Sequence, residues 1–302
     1  MVSAMPAGAG VLLALGSAAA YGLNITFTRI AALAGVPGPS LVVYRVLVML
    51  ALAGAVIALM RRSFRVAEGE GGAVALLGIT SAGVGLCYLS SVAFIPVTVA
   101  AVLFYTFPIL IVALSPFVEG TRVTLPLLGV TVCAFVGVVL VVGPAWSDLD
   151  PVGLLLAGGA SVAATAQFFA AGRAVRTDTW SKLLWVHVMV LPAGLAAAMA
   201  TGGLAAPAAL ALAPWSVFFN IGGFVIGFLL QLMALARVPA VVAGLAFCAE
   251  PVVASVTAAL VLGETLGVIQ YLGGAMVIGA IVANVLIDQR RRRAATAVPE
   301  PA

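Results

Sequence analysis

The sequence predicts an all-α integral membrane protein whose ten transmembrane helices form two inverted five-helix repeats. Three observations lead to this prediction. Of the 302 residues, 64% are hydrophobic and only 8% are charged, whereas soluble domains carry roughly 25% charged residues. The chain contains ten apolar stretches of about 20 residues, the length that crosses a bilayer as a helix. Matching residues also recur at a constant spacing of 143 positions, which indicates an internal duplication.

The apolar stretches are joined by short connections. They comprise residues 10–32, 39–60, 72–93, 97–118, 124–143, 151–172, 181–200, 214–236, 240–262 and 266–287. Several begin at or just after a proline, which is favoured in the first helical turn because no backbone N–H is needed there. These prolines are Pro96, Pro126, Pro151, Pro214 and Pro239.

The basic residues predict the orientation of the helices. Twelve of the 14 Lys and Arg fall on one side of the predicted bundle. The loops on the opposite side contain three charged residues, all acidic: Asp148, Asp150 and Glu264. Because cytoplasmic loops carry the excess of Lys and Arg, we expect both termini inside and a multi-pass protein of the cell inner (plasma) membrane. The same distribution favours the lipid bilayer over nucleic acid as the partner of the basic residues. The twelve are Arg61, Arg62, Arg65, Arg122, Arg173, Arg176, Lys182, Arg237 and Arg290–Arg293.

The 143-residue shift relates two copies of one unit. It takes Pro96 to Pro239 and Pro108 to Pro251. The copies span residues 8–143 and 151–287, followed by a basic tail, 288–302, that we expect to be disordered. Because five spans per copy is an odd number, the second copy enters the membrane from the opposite side. Transporters with this inverted design place their substrate at the repeat interface near the midplane.

Glu250 is the sharpest candidate for function. It lies about ten residues into an apolar span, and a carboxylate at that depth is expensive and usually functional. Pro251 follows it, and Pro108 occupies the equivalent position in the first copy, so we expect a helix break at both prolines. Glu250 could bind a substrate amine or exchange a proton for substrate. Alternatively, it could cap the backbone that Pro251 leaves unpaired.

The two copies differ around this position. Tyr105 and Phe107 occupy the places that Cys248 and Glu250 take in the second copy. This asymmetry suits a substrate with one charged end and one apolar end. Phe247 is a further aromatic candidate for the lining of such a site.

Other polar side chains at membrane depth also fall in pairs under the shift. We interpret them as candidates for one central cavity, with ordinary hydrogen bonding between helices as the alternative. Arg45 is an additional candidate, either as a clamp for a substrate carboxylate or as a partner for Glu250. The pairs are Asn24 with Gln167, Tyr44 with His187, and Tyr88 with Gln231.

The segment Leu245–Val282 resembles the C-terminal half of an EamA-type module of the drug/metabolite transporter superfamily. Its Glu-Pro, Leu-Gly-Glu and paired Gly carry the resemblance, whereas the first copy has Phe107-Pro108 and Val118–Thr121 in the corresponding places. The resemblance implies secondary transport of amino acids or related metabolites, frequently outward. Some relatives export amphipathic toxic compounds, so this remains an alternative substrate class.

Enzymatic functions find no support in the sequence. It contains no HExxH or GxSxG motif and no ATP-binding P-loop,. Cys87, Cys133 and Cys248 lie in apolar runs without metal-ligand spacing, so we expect neither a metal nor another cofactor. A channel or a structural role stays open as a non-carrier alternative, and so does the oligomeric state.

Overall fold

The structure is a computed structural model that describes residues 7–143 and 149–296, with side-chain environments for 8–143 and 149–290. This part of the chain forms twelve α-helices and one short 3₁₀-helix, Pro207–Leu212, without any strand. The α-helices are α1 (Ala7–Leu33), α2 (Gly38–Leu59), α3 (Gly71–Ser91), α4 (Val97–Phe104), α5 (Phe107–Val118), α6 (Leu125–Val142), α7 (Pro151–Arg173), α8 (Thr179–Ala200), α9 (Pro214–Leu235), α10 (Ala240–Phe247), α11 (Ala249–Leu262) and α12 (Val268–Thr296).

The prediction of ten transmembrane helices is confirmed. Within the described residues, ten helical segments are long and apolar enough to cross a membrane. Eight are single helices, and two are pairs of half-helices, α4 with α5 and α10 with α11. The bounds agree with the predicted spans to within a few residues, because the apolar runs end where charged residues and Gly or Pro begin.

Each broken span is interrupted on the N-terminal side of its proline. Pro108 is the second residue of α5 and Pro251 the third residue of α11. Proline donates no backbone hydrogen bond, and its ring clashes with the carbonyl four residues earlier. The carbonyls concerned belong to Phe104 and Phe247, the last residues of α4 and α10. The repeat therefore reproduces the same break 143 residues later.

The packing of the helices is reciprocal between the two repeats. Helix α1 packs most extensively on α9, and α3, the repeat equivalent of α9, packs on α7, the equivalent of α1. Helices α2 and α6 each pack on their own equivalents, α8 and α12. This exchange of partners is what a two-fold relation requires. With an odd number of spans in each copy, the two repeats are inverted across the membrane.

Small residues allow backbones to approach closely where the repeats cross. An added Cβ on Gly273 of α12 would lie 2.6 Å from the carbonyl oxygen of Gly137 on α6, and one on Gly137 would lie 2.8 Å from that of Gly273. Gly22 on α1 meets α11 in the same way, 2.7 Å from the Glu250 carbonyl oxygen. Such contacts supply the van der Waals packing that holds membrane helices together.

The C-terminal segment differs from the expectation in part. Helix α12 continues to Thr296. The prediction of a disordered tail from residue 288 is therefore wrong for residues 288–296. The reason is that Gln, Arg and Ala, which make up most of this segment, propagate a helix readily once an apolar span has nucleated it. Residues 297–302 lie outside the described residues, as does Asp148, one of the acidic residues used to predict the orientation.

The contact between α6 and α12 yields a stability prediction. Replacing Gly273 by Ala places a methyl group against the backbone of α6, and overpacking of this kind costs about 1–3 kcal/mol. We expect the Gly273→Ala protein to melt at a lower temperature than the wild type in detergent. Gly129→Ala is the matched control, because nothing lies within 4 Å of the added Cβ. Equal melting of the two variants would contradict the proposed crossing.

Candidate functional site

Glu250 lies in the middle of a broken span, in the first turn of α11. It is ten residues after Ala240, where α10 begins, and twelve before Leu262, where α11 ends. Because Cys248 interrupts the helix, the unpaired N–H groups of the α11 N-terminus lie at this depth and favour a negative charge. The residue as a whole is partly exposed.

The helix break of the first repeat faces this carboxylate. Tyr105, the residue that follows α4, lies close enough for its phenol to interact with the Glu250 carboxylate. Tyr21 on α1 and Tyr88 on α3 are close enough to interact with Glu250 electrostatically. Among the described residues, no Lys or Arg forms an ion pair with it. Phenols therefore surround a carboxylate that has no cationic partner.

Aromatic rings line both sides of the carboxylate. On one side the Phe104 ring contacts those of Tyr88 and Tyr105, with centroid distances of 5.5 and 5.3 Å. On the other side the Tyr21 ring lies 6.3 Å from that of Phe224. These apolar walls around one ionisable group resemble the lining of a small-molecule site, in which few polar groups fix the orientation of the ligand.

A buried aromatic cluster closes one end of this site. The Phe168 ring lies 5.2 Å from the Phe107 ring and 5.0 Å from the Phe247 ring. All three side chains are buried, and they come from α7, α5 and α10. Phe247, one of the predicted lining residues, therefore belongs to the closed end, where its ring also contacts Tyr21.

A chain of hydrogen bonds links four helices next to this cluster. The Tyr21 hydroxyl donates to Oε1 of Gln231 over 3.1 Å, and Nε2 of Gln231 donates to Oε1 of Gln167 over 3.2 Å. Nε2 of Gln167 then donates to the Ser81 hydroxyl over 2.8 Å. The chain joins α1, α9, α7 and α3. It brings two of the predicted polar residues together, and it adds Ser81, which nothing in its apolar sequence context had indicated.

Two further predicted residues make structural hydrogen bonds elsewhere. Nδ2 of Asn24 donates to the Asn220 carbonyl over 2.6 Å, and Nδ2 of Asn220 donates back to the Asn24 carbonyl over 3.3 Å. This reciprocal pair ties α1 to α9. Tyr44 donates to the Ala205 carbonyl over 2.6 Å, in the connection between α8 and α9. For these two residues the structure favours hydrogen bonding between helices, the alternative that the sequence left open.

Arg45 and His187 lie on another wall of the site. The Arg45 guanidinium carbon is 4.3 Å from the centre of the Phe224 ring. His187 is completely buried, and its Nδ1 lies 2.8 Å from the Leu183 carbonyl oxygen. The charge of Arg45 interacts with Tyr21 and His187. In this structure Arg45 is therefore not an ion-pair partner of Glu250.

A polar latch holds the two repeats together at the end of the bundle next to the aromatic cluster. We define it as Glu70, which precedes α3, with Arg176 and Thr177, which follow α7. Glu70 Oε1 accepts from the Arg176 backbone N–H over 2.8 Å. Oε2 accepts from the Thr177 N–H over 2.8 Å and from its hydroxyl over 2.6 Å. An ion pair of 3.1 Å between Arg62 and Asp178 supports the same contact.

The opposite end of the bundle is held differently. There the connections pack through a buried apolar cluster of Ala31, Val36, Leu41 and Val217. An exposed ion pair of 2.7 Å joins Arg29 to Glu264. Exposed pairs of this kind contribute little to stability. The two ends of an otherwise symmetric bundle are therefore closed by different chemistry.

The latch affects the protonation of Glu70. Burial by itself raises the pKa of this carboxyl, but the hydrogen bonds from Thr177 and Arg176 outweigh burial and lower the pKa below its ordinary value. Among the residues that carry side-chain information, no cluster of His, Cys, Asp or Glu is arranged to hold a metal ion.

The fold and the site together define a class of protein. Two inverted repeats of broken helices, with an unpaired carboxylate where the breaks meet, are the architecture of membrane transporters. A solved structure, titled as the crystal structure of a protein, shares this fold with a TM-score of 0.76 at 17% identity. The match covers 92% of this chain and 98% of that one. A comparison with curated protein sequences finds no match.

A comparison with models of protein families identifies the family of this chain. The model of the EamA-like transporter family matches residues 8–143 and again residues 151–286. The chain therefore belongs to the EamA-like transporter family, a family of membrane transporters within the drug/metabolite transporter superfamily. Each of the two matches covers one of the five-span repeats.

The latch yields a prediction about pH and stability. In Glu70→Gln the side-chain NH₂ faces backbone N–H donors, and unsatisfied buried groups cost about 1–3 kcal/mol. We expect this variant to melt below the wild type at neutral pH. The folded-state pKa of Glu70 is lowered, so its contribution is complete above the unfolded value of about 4.3 and is lost as the pH falls through the folded value.

The difference in melting temperature between the wild type and Glu70→Gln should therefore shrink on acidification. Thermal melts of detergent-solubilised protein over a pH series measure it. Glu68→Gln is the control, because Glu68 is a neighbouring exposed carboxylate and should change little at any pH. A gap between the wild type and Glu70→Gln that does not depend on pH would show that the ionised carboxylate does not stabilise the latch.

Proposed function

We propose that this protein is a secondary transporter that exports a small metabolite, such as an amino acid, by alternating access at a midplane site between the repeats. The observation that carries the proposal is the meeting of the two helix breaks at Glu250. There Glu250, a partly exposed residue, interacts with the phenol of Tyr105 and forms no ion pair among the described residues. An ammonium group of the substrate would supply that partner.

The carboxylate suits this role because of its depth. A charge at the membrane centre is retained when it serves a pathway for ions or substrates. Glu250 would bind a substrate amine in its ionised form and release it on taking up a proton, so proton coupling is part of the proposal. Alternating access is supported by the different closures of the two ends, since a carrier must open each end in turn.

The export of amphipathic or cationic toxic compounds is the second candidate. The aromatic walls formed by Tyr88, Phe104 and Phe224 favour it, because aromatic faces attract organic cations. A channel or a structural role is a further alternative. A carrier is favoured over a channel because a channel lines its path with rings of carbonyls or charges, whereas Phe107, Phe168 and Phe247 form a buried apolar cluster between the repeats.

Counterflow in proteoliposomes tests the proposed function. Vesicles preloaded with an unlabelled amino acid should accumulate the labelled compound from outside, which requires a carrier that alternates. In Glu250→Gln we expect counterflow to fall about tenfold or more, as the loss of a charged hydrogen-bonding partner predicts, and its pH dependence to disappear. Glu264→Gln is the matched control, because Glu264 is an exposed carboxylate at the end of the bundle.

Accumulation with organic cations alone would instead favour the second candidate. Glu250→Gln and Glu264→Gln should elute alike in size exclusion, so that a difference in transport reflects the site. Equal counterflow and equal pH dependence in these two variants would remove Glu250 from the mechanism.

The orientation is a separate proposal, supported by the distribution of Arg and Lys. We expect the C-terminus in the cytoplasm of the inner (plasma) membrane. A green fluorescent protein fused to the C-terminus should fluoresce in cells, whereas alkaline phosphatase fused at the same point should be inactive. The reverse pattern would invert the bundle and place the polar latch on the outer side.

A further inference from the structure

Arg45 carries a positive charge inside the membrane without a partner. It lies seven residues after the start of α2 at Gly38, about 10 Å along the helix axis. Its Nε is buried and has no hydrogen-bond partner. Among the described residues, its guanidinium forms no ion pair. The residue as a whole is partly exposed, but a cation at membrane depth with no anion beside it is costly, so the structure requires a reason for it.

The surroundings of Arg45 hold it at the site. Its guanidinium lies over the face of Phe224, 4.3 Å from the ring centre. Phe224 also contacts Tyr21 and His187, with centroid distances of 6.3 and 5.6 Å. A cation over an aromatic face is oriented by the ring without being neutralised. The guanidinium therefore keeps its hydrogen-bonding edge available for another group.

His187 adds a second unsatisfied atom beside it. The Leu183 carbonyl can only accept a hydrogen bond, so Nδ1 of His187 carries the proton and Nε2 is free to bond elsewhere. Nε2 is buried and has no partner among the described residues. Two nitrogens around the same phenylalanine are thus unsatisfied, and they differ in kind. Nε of Arg45 is a donor and calls for an acceptor such as a carboxylate, whereas the unprotonated Nε2 of His187 is an acceptor and does not bond a carboxylate. Native structures leave few buried polar groups unsatisfied, and each requires an explanation.

The position of this pair relative to Glu250 is informative. Tyr21 interacts electrostatically with Glu250 and with Arg45, whereas the charges that act on Arg45 and Glu250 do not include each other. The cation and the carboxylate therefore both act on Tyr21 but form no ion pair with each other. An ion pair between them would have left no charge for a ligand.

We propose that Arg45, held over the ring of Phe224, forms a carboxylate-binding subsite that is separate from Glu250. The inference rests on the proposed function, because it assigns the second charged end of the same substrate. A planar guanidinium binds a carboxylate through two parallel N–H donors. The substrate is then a molecule that carries both a cationic and a carboxylate group, and a purely cationic compound leaves Arg45 unpaired.

Ligand binding by singly charged fragments tests the two subsites independently. Hydrocinnamate carries only the carboxylate of phenylalanine, and phenethylamine carries only its ammonium group. Each is added to purified protein in detergent, and the ligand-induced rise in melting temperature reports binding. The proteins compared are the wild type, Arg45→Gln, Arg45→Lys and Glu250→Gln. Arg29→Gln is the control for the loss of a positive charge, because Arg29 is exposed at the end of α1.

We expect hydrocinnamate to stabilise the wild type, Arg29→Gln and Glu250→Gln. It should bind Arg45→Gln with an affinity at least about tenfold lower, as the loss of a charged hydrogen bond predicts. Arg45→Lys should be intermediate, because it keeps the charge and loses the paired donors. The unliganded Arg45→Gln protein should not melt below the wild type, since it loses an unpaired charge. If Arg45 only stabilised the fold, the unliganded Arg45→Gln protein would melt below the wild type.

Hydrocinnamate that stabilises the wild type and Arg45→Gln equally, or that fails to stabilise the wild type, would overturn the subsite. A failure of the proposed role of Glu250 can be distinguished from a failure of the Arg45 subsite. If phenethylamine binds the wild type and Glu250→Gln equally while hydrocinnamate depends on Arg45, the role of Glu250 is wrong and the carboxylate subsite stands.

Discussion

The meeting of the two helix breaks, which brings Tyr105 next to Glu250, is the constraint on which the arrangement of the site depends. Inside a bilayer every backbone group must find a partner within the protein, so a break in a spanning helix is tolerated only where protein surrounds it. Each repeat contains one such break, and each break needs the other repeat to cover it. All eight residues of α10 are buried for this reason. Bringing the two breaks together places the Glu250 carboxylate and the Tyr105 phenol close to each other, at the N-terminus of the half-helix α11, where the helix dipole favours a negative charge,.

The two repeats share one helical framework, and the site arises where their side chains differ. Ser81 and Phe224 occupy equivalent positions, yet Ser81 ends the chain of glutamine hydrogen bonds and Phe224 supports Arg45. The latch shows the same divergence, because the equivalent of Glu70 is Ala213 and that of Thr177 is Ala34. One end of the bundle is therefore held by a carboxylate with several donors, and the other by apolar packing together with the hydrogen bond from Tyr44 to the Ala205 carbonyl. Two closures of different chemistry respond differently to pH and to a charged substrate, which is a useful property in a carrier.

The sequence predicted the spans well and the site only in part. Apolar runs predict spanning helices reliably, since the cost of burying a charge or an unpaired amide in lipid leaves no other structure. The two prolines marked the breaks for the same reason. Polar residues at depth were a weaker guide: Gln167 and Gln231 joined one network, whereas Asn24 and Tyr44 formed hydrogen bonds elsewhere. An amide side chain gains from any nearby carbonyl, so residue type alone does not show which helix will satisfy it.

The sequence by itself determined the class of protein, the ten spans, the repeat and its inversion, because each follows from hydrophobic length, counting and the spacing of matched residues. Tertiary structure alone decided that Tyr105 faces Glu250, that Ser81 and Asn220 take part in networks, and that Arg45 rests on Phe224 with no anion beside it. Tertiary structure also revealed Glu70 as the centre of a latch. The physical reason is that spanning helices are specified by local hydrophobicity. Contacts between them depend on the rotation and crossing of each helix, which residues far apart in the chain set together.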